Sequence, residues 1–443
     1  MTATDPGSLA AVARWLFGQR HPAAVEQKTR LLLLDTLGCM LAGLAAPPVA
    51  GLARSLGAAD GGPIRMPVVD AALSPGSAAS VLATAACWDE ACEGLARAHG
   101  RPGVPVIAAG LALGVQRDAT LGRLLDAIVA GYEVGGRMGE RLRIRPGMHV
   151  DAGWPALGVA AAAALLLDAR ADGAINAVEI AAAQIPFGLY LPVEQGADGR
   201  NTFLGHAAWL GTYAAFAAEA GIAAPRGAVE RYAALALGID ILPAMAPAGE
   251  YIILESYLKP FAAVRHVHYG AQAALDLRER AQIEPRSITA IELDVYPEAH
   301  TYCANRAPAT PIQAQFSLTF GVAAALRFGT LGPEVYREPL FEDKELRRLE
   351  ALIAIRADAA LGAGGRRGAK LAIHCRGERL TQSVTQVPGD PGLPFSDEQC
   401  REKFLRNTRL TLGAARAEAT CEAILRAEAR TPLRPLWESL GSS

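Results

Sequence analysis

A short apolar segment between Tyr257 and His268 carries Lys259, Arg265, His266 and His268. Lys and Arg side chains are usually exposed to solvent. Cations set among alanine, valine and phenylalanine therefore indicate a pocket that attracts an anion. Imidazoles change charge near neutral pH and can move protons beside such a ligand. The segment therefore predicts an anion-binding site with proton-transfer groups, and the alternative is a solvated helix face with surface histidines.

The local pattern around Lys259 predicts a helix. Pro260 suits a first helical turn, so we expect a helix from Phe261 to Leu277 with Lys259 at its amino end. Arg265 and His268, three residues apart, then share one face. The partial positive charge of a helix amino terminus, together with these cations, favours a carboxylate or phosphate.

His149 is a second candidate, in a loop between two apolar segments. It precedes a buried helix predicted at Trp154–Leu167, where it is either a general acid or base or a packing histidine. Arg141, Arg143 and Arg145 precede it and either hold an anion or are solvated.

Two further loops carry charged residues. Asp89 stands at an acidic helix end that leads into a Gly/Pro loop with His99 and Arg101, and Arg200 comes just before an apolar helix. Loops on rigid helices often hold functional groups, although an acidic helix end is commonly solvated surface. All four residues are therefore candidates for the same site.

Metal and nucleotide sites have little support. His266 and His268 form a His-x-His pair, but further ligands at recognisable spacing are missing. Gly131–Gly136 follows a helical pattern, not a strand, and no phosphate-loop Gly-Lys-Ser/Thr exists. Seven scattered cysteines show no zinc-like spacing and indicate reduced, mostly structural thiols.

The overall charge argues against nucleic acid and anionic membranes as partners. Forty-three basic and 45 acidic residues give a net charge of -2, which offers no field for nucleic acid or an anionic membrane. The amino terminus lacks the basic flank and apolar run of a signal peptide, and the most apolar run is shorter than the roughly 20 residues that span a bilayer. We expect a cytoplasmic enzyme.

The predicted secondary structure changes once along the chain, from helix to a mixture of helix and strand. Leu9 to Leu277 is rich in alanine and leucine and predicts helices, several of them apolar on every side. Ser287–Pro297 alternates like a strand, and Lys370–Val387 predicts a hairpin, with a helix-rich stretch between them. A breaker-rich segment and a helical tail follow, so we expect a mainly α protein with a smaller α+β part.

Several motifs, each modest alone, occur here in a specific order. They are Leu33–Gly38, Arg101–Leu113, Gly131–Val134, Gly147–His149, Leu258–Phe261, Gln315–Leu318, Pro388–Asp390 and Lys403–Phe404. In this set the chain resembles the MmgE/PrpD family, which includes 2-methylcitrate dehydratase, cis-aconitate decarboxylase and iminodisuccinate epimerase. The resemblance covers nearly the whole length.

The resemblance implies a fold and a chemistry. A large all-helical domain at residues 1–264, completed by 393–443, would be joined by an α+β lid at 265–392, with the active site in the cleft between them. Homodimers are usual in the family. The implied chemistry uses no cofactor: a proton next to a carboxylate of a small polycarboxylate is removed, and either a group is lost or the proton returns on the other face.

Some family residues are matched and others are replaced. His149 matches the catalytic histidine of its loop, Lys259 the catalytic lysine of the Lys-Pro pair, and His268 the histidine nine residues later. Many members have Asp-Asp-Thr and then His-Pro-Gly. This chain keeps only Asp89 of the acidic motif, and either His99 or Arg101 replaces the missing histidine.

Two further replacements change the available chemistry. Arg200 stands where many members have lysine, and Phe320 where an aromatic hydroxyl can occur. Arginine stays protonated at pH 7 and phenylalanine has no proton to donate, so these positions favour anion holding over proton transfer.

The sequence predicts a cofactor-independent, dehydratase-like lyase, with an epimerase or isomerase, a decarboxylase and a non-catalytic carboxylate binder as alternatives. The predicted catalytic residues are a lysine and three histidines: Lys259, His149, His268 and His99. The predicted substrate-binding residues are charged: Asp89, Arg101, Arg200 and Arg265. His149 would take the carbon-bound proton, and His268 or His99 would protonate the leaving group.

Overall fold

The computed structural model describes residues 7–441, and its first part is a helical body. Its helices are α1 (Leu9–Leu16), α2 (Ala23–Leu44), α3 (Pro47–Ala59), α4 (Pro75–Cys87), α5 (Gly103–Gln116), α6 (Leu121–Arg141), α7 (Pro155–Leu166), α8 (Ala171–Ala182), α9 (Leu191–Gln195), α10 (Phe203–Glu219) and α11 (Ala228–Tyr232). Two short antiparallel pairs accompany them: β1 (Gly61–Arg65) with β2 (Ala72–Leu73), and β3 (Gly94–Leu95) with β4 (Ser256–Tyr257).

Helix α7 lies at the centre of this body. Every residue from Pro155 to Leu166 is buried, and the helix packs against α5, α6, α8 and α10. A Cβ on Gly158 would lie 2.5 Å from the carbonyl oxygen of Gly131, so only glycine allows α6 and α7 to approach this closely. The all-round apolar pattern of this segment thus reflects burial on every side.

An α+β part follows. It contains α12 (Arg265–Arg280), β5 (Ile288–Val295), α13 (Pro297–Cys303), α14 (Pro311–Gln315), α15 (Leu318–Phe328), α16 (Lys344–Ala351), β6 (Ile353–Ala357), β7 (Ala369–Cys375) and β8 (Glu378–Val384). The sheet order is β6-β5-β7-β8, with β6 parallel to β5 and the other pairs antiparallel. Helix α12 packs against β7 and β8, and α15 packs against α12.

The carboxyl-terminal helices return to the helical body. They are α17 (Asp397–Leu412), α18 (Ala414–Arg426) and α19 (Leu433–Glu438). Ser396 and Gln399 form a capping box at the start of α17, which packs on α2 through Phe404 beside Gly38. About 60% of the structure is helical and 10% is strand, which confirms the prediction of a mainly α fold with a smaller α+β part. The predicted domain boundaries lie directly before α12 and in the loop before α17.

The helix predicted from Phe261 is wrong at its start, because α12 begins only at Arg265. The preceding backbone N–H groups donate to carbonyl oxygens of other segments: Leu258 to Gly389, Ala262 to Leu331 and Val264 to Gln315. These bonds hold the stretch in a non-helical path, so Lys259 does not lie at a helix amino end. It lies in an irregular segment between β4 and α12.

Within residues 7–441, no single helix is long and apolar enough to cross a membrane. By length and composition alone, only α2 and α3 taken together pass that test, and they are bent by 87° at their junction. All seven cysteines are free and buried.

Candidate active site

A cavity of about 270 Å³ lies where the helical body meets the α+β part. The loop between α4 and α5 contributes Glu90, His99 and Arg101, and the loop between α6 and α7 contributes His149 and Asp151. Arg143 also comes from the loop between α6 and α7. Further lining residues come from elsewhere in the chain: Tyr190, Arg200, Tyr257, Lys259, Arg265, His266, Glu298, Tyr302, Phe316 and Arg367. The site is thus assembled from segments far apart in sequence.

The loop that carries Glu90 is fixed from several sides. Glu93 Oε1 accepts hydrogen bonds from the backbone N–H groups of Gly103 and Val104 at the start of α5, at 2.9 and 3.2 Å. Lys403 of α17 donates to the carbonyl oxygen of Ala91 at 2.7 Å. These bonds satisfy buried polar groups and give the loop one position relative to α5.

Glu90 is the centre of the charged cluster. Its carboxylate contacts Lys259 Nζ at 2.6 Å, Arg200 Nη2 at 2.7 Å and Arg101 Nη1 at 3.1 Å. Burial opposes its ionisation, but Arg101, Arg200 and Lys259 together hold the pKa of Glu90 well below its ordinary value. Its φ of 51° lies in the left-handed region, which is unfavourable for a side-chain-bearing residue and is held by the surrounding contacts.

Asp151 provides the second buried carboxylate. It lies in the short 3₁₀ helix Val150–Ala152, accepts a hydrogen bond from Arg101 and lies 3.8 Å from Arg200 Nη2. Burial opposes ionisation, but Arg101, His149 and Arg200 lower the pKa of Asp151 below its ordinary value. The two arginines therefore bridge Glu90 and Asp151.

Cations outnumber carboxylates in the cluster. Arg101, Arg200 and Lys259 face two carboxylates, and Arg200 Nε is buried without a hydrogen-bond partner in residues 7–441. Trp154 Nε1, also in the cavity lining, is a second such unpartnered donor. Since buried charges and donors are costly when unpaired, the cavity favours a bound anion.

His149 lies beside this cluster. Burial, with the nearby Arg200 and Arg101, lowers the pKa of His149 to about 4 against the opposing effect of Asp151, so the ring is neutral at pH 7. The backbone N–H of Asp151 donates to His149 Nδ1 at 3.2 Å. A neutral ring that accepts at Nδ1 carries its proton on Nε2. Nε2 makes no hydrogen bond to the described residues and is the ring atom left for a ligand.

The structure brings six of the eight predicted site residues to the cavity. These are His99, Arg101, His149, Arg200, Lys259 and Arg265. Asp89 does not line it and lies 3.7 Å from Arg337 instead. His268 also lies outside the lining and is fully buried.

Both ring nitrogens of His268 are occupied. Its Nε2 donates to the carbonyl oxygen of Ala263 at 2.9 Å, so its Nδ1 accepts from Arg265 Nη1 at 3.1 Å. Arg265 also pairs with Asp390 and lies between the rings of Tyr257 and Tyr269. His268 thus positions Arg265, whose charge is largely compensated within the protein.

His99 lies at the rim, with a side chain that is 48% exposed and a left-handed φ of 53°. Its Nδ1 is 3.6 Å from Glu298 Oε1. Burial, Arg143 and Arg367 lower the pKa of His99 to about 4. Arg101, in contrast, lies inside the charged cluster, so His99 and Arg101 occupy different parts of the cavity.

Phe320, His266 and His268 form no hydrogen bond with the charged cluster around Glu90. Phe320 is buried against Tyr336 and Phe341 and does not reach the cavity. His266 lines the cavity, but its Nδ1 pairs with the hydroxyl of Tyr296 at 2.5 Å. Among the described residues, no group of three His, Cys, Asp or Glu side chains could hold a metal ion.

Sequence reasoning missed three residues that the cavity uses. Glu90 adjoins Asp89, and the pattern does not show which of the two acids points inward. Asp151 lies two residues after His149, and this spacing is the only signal that it carried. Arg367 follows Arg366 in a glycine-rich loop with no motif, so nothing in the sequence marks it.

The comparisons with known proteins match this architecture. The family model for the MmgE/PrpD N-terminal domain matches residues 7–237, and the model for the MmgE/PrpD C-terminal domain matches residues 261–428. No curated protein matches the chain at a significant level.

Proposed function

The chain belongs to the MmgE/PrpD family, a dehydratase-like enzyme family, and we propose that it is a cofactor-independent lyase that acts on a small carboxylate. One observation carries the proposal: the neutral ring of His149 lies beside a buried cluster with more cations than carboxylates. Such a cavity holds an anion and presents a proton-transfer group to it.

A substrate carboxylate would bind at Lys259, Arg200 and Arg101, where it shares these cations with Glu90. Hydrogen bonds between charged partners are about twice as strong as neutral ones, and arginine can hold a carboxylate through two parallel bonds. Glu90 keeps the cations in place when the cavity is empty. Arg265, anchored by Asp390 and His268, supports the wall of the site.

His149 would take the proton next to that carboxylate. Asp151 Oδ2 lies 3.9 Å from His149 Nδ1, close enough to accept from it after a small movement. A substrate that engages Arg101 releases Asp151 toward the ring and so favours the tautomer with Nδ1–H. Nε2 then has a free lone pair and serves as the base.

The leaving group would be protonated by His99, which lines the cavity, whereas His268 has neither a free nitrogen nor access. His99 is neutral at pH 7 in the empty site because its pKa is about 4. A bound anion beside it, together with Glu298, raises that pKa and favours the protonated donor.

The same abstraction without loss of a group gives an epimerase or isomerase, and loss of carbon dioxide gives a decarboxylase. The rim position of His99 leaves the deep cluster with one proton-transfer histidine, which also suits proton return to the same carbon. Incubation in deuterium oxide separates the lyase from the isomerase. Exchange with an alkene product supports the lyase, and exchange with inversion alone supports the isomerase.

We also propose that the chain forms a homodimer. Trp209 and Tyr213 on α10 stack at 5.5 Å and are 43% and 47% exposed. Phe187, Leu189 and Leu191 are also half exposed. An exposed, stacked aromatic pair favours coverage by another protein surface, and a second copy of the chain meets that need. Sedimentation velocity tests this, and a monomer at micromolar concentration would contradict it.

A further inference from the structure

A second cationic group lines the cavity from the α+β part. Arg367 lies in the loop between β6 and β7, and its side chain is only 14% exposed. Its Nη2 is 3.7 Å from Glu298 Oε2, which is longer than a hydrogen bond, and it makes no hydrogen bond to any of residues 7–441. A guanidinium this buried usually has its five donors paired.

A second arginine lies near Arg367. Arg143 lines the same end of the cavity and donates to the carbonyl oxygen of Arg97 at 2.8 Å. Glu298 lies 3.7 Å from Arg367, and both Glu140 and Glu298 act on Arg143. His99 and His266 are close by, and burial lowers the pKa of each, so both are neutral at pH 7.

The wall near Arg367 is aromatic. Tyr257 and Tyr302 line the cavity, and Tyr296 pairs with His266 behind the lining. Burial opposes ionisation of Arg367, but Tyr296, Tyr257 and Glu298 hold its pKa above the ordinary value. Its donors therefore stay charged, and the nearby rings offer apolar surface for the carbon chain of a ligand.

We infer that Arg367 is a specificity-determining residue that binds a second, distal carboxylate of the substrate, while Lys259, Arg200 and Arg101 bind the carboxylate at the reacting end. The inference rests on the proposed function for the identity of the reacting end. Glu298 occupies part of this subsite in the empty protein, where it partly compensates Arg367. A planar carboxylate matches the fork of the guanidinium better than a single hydroxyl does.

Calorimetric titration of the full chain tests the subsite without turnover. The probes are succinate, glutarate and adipate, each compared with its monomethyl ester, which lacks one charge. The three acids differ in the distance between their two carboxylates, so the series reports the spacing of the two subsites. We expect one acid to bind at least about tenfold more tightly than its own ester, which is the gain that one charge-assisted pair provides. Arg367→Gln should reduce this preference to about twofold or less while leaving ester binding unchanged.

Matched variants make the result specific to this side chain. Arg366→Gln is the control, because the guanidinium of this neighbouring residue is exposed and, within residues 7–441, donates only to the carbonyl oxygen of Ala363. It should behave as the wild type. Glu298→Gln should tighten dicarboxylate binding, since it removes a competing anion. Arg367→Lys should restore part of the preference, and circular dichroism establishes that each variant is folded.

The outcomes separate the subsite from the proposed reaction. Equal loss of dicarboxylate and ester in Arg367→Gln, or no preference for any dicarboxylate in the wild type at millimolar concentration, would overturn the subsite. Lys259→Ala should weaken both ligands alike, which reports on the reacting end. The predicted binding pattern with no turnover would refute the lyase and leave the subsite standing.

Discussion

The backbone N–H of Asp151 donates to Nδ1 of His149 at 3.2 Å, and Oδ2 of the same aspartate lies 3.9 Å from that nitrogen. One residue thus offers His149 both a donor and, after a small movement, an acceptor. The tautomer of His149 depends on which of them it uses. Arg101 holds the carboxylate of Asp151 in the empty site, so ligand binding at Arg101 couples to the state of the ring.

The first prediction concerns that tautomer. In the free protein at pH 7, nitrogen chemical shifts should show a neutral His149 with its proton on Nε2, because Nδ1 accepts a backbone hydrogen bond. A bound dicarboxylate should shift the population toward Nδ1–H. The His149→Gln variant identifies the signal. A doubly protonated, cationic ring of His149 at pH 7 would be inconsistent with this geometry.

The acid limb of catalysis gives a second prediction. His149 has a pKa of about 4, lowered from the ordinary 6.5 by burial, and the base must be deprotonated. The rate of proton abstraction, measured as solvent deuterium exchange at the carbon next to the carboxylate, needs the base and not His99. It should therefore stay flat from pH 8 to about pH 5.5 and fall only as the pH approaches 4. Circular dichroism at each pH separates this limb from unfolding. A fall centred near pH 6.5 would show that His149 is not buried as described.

Glu90→Gln should destabilise the fold. The change leaves Arg101, Arg200 and Lys259 around an uncharged amide, and breaking a buried ion pair costs about 3–5 kcal/mol. Urea denaturation measures the free energy of unfolding, and millimolar glutarate should recover part of the loss by supplying a carboxylate. Asp89→Asn is the matched control, because the side chain of this adjacent acid is 18% exposed and lies 3.7 Å from a single cation, the exposed Arg337. Equal losses in the two variants would contradict the central place of Glu90.

His268→Gln tests whether His268 is a positioning residue. Both of its nitrogens are bonded within the protein, so the change should act through Arg265 and raise KM while lowering kcat by less than about tenfold. Loss of a proton-transfer group costs about 10² to 10⁴ in rate. A loss of that size in kcat, with an altered pH profile, would instead assign His268 a direct catalytic part.

Much of the fold follows from local pattern. The length and alanine-rich composition of the apolar run at Trp154–Leu167 indicate a buried helix, and the alternation at Ser287–Pro297 indicates a strand. The structure has a helix and a strand there. The helix expected from Phe261 fails because its backbone donors bind Leu331 and Gln315, which are distant in sequence. Local propensity carries no information about such partners.

The site, like the fold, contains residues that the sequence could identify and others that it could not. Residue type and resemblance were enough to select Lys259, Arg200 and His149, and these three meet in the cavity. Sequence could not separate Glu90 from Asp89, because inward direction depends on the backbone turn after α4. It also could not reveal Arg367, whose significance arises only from burial without a hydrogen-bond partner among the described residues.

The most direct test of proton abstraction by His149 measures solvent deuterium incorporation at the carbon next to the carboxylate, across a panel of citrate-like hydroxy acids. The wild type and His206→Gln, which changes an exposed histidine, should exchange at equal rates on the substrate that turns over. His149→Gln should lose about 10² to 10⁴ in that rate while remaining folded. Exchange by His149→Gln at the wild-type rate would contradict proton abstraction by His149 and with it the proposed function.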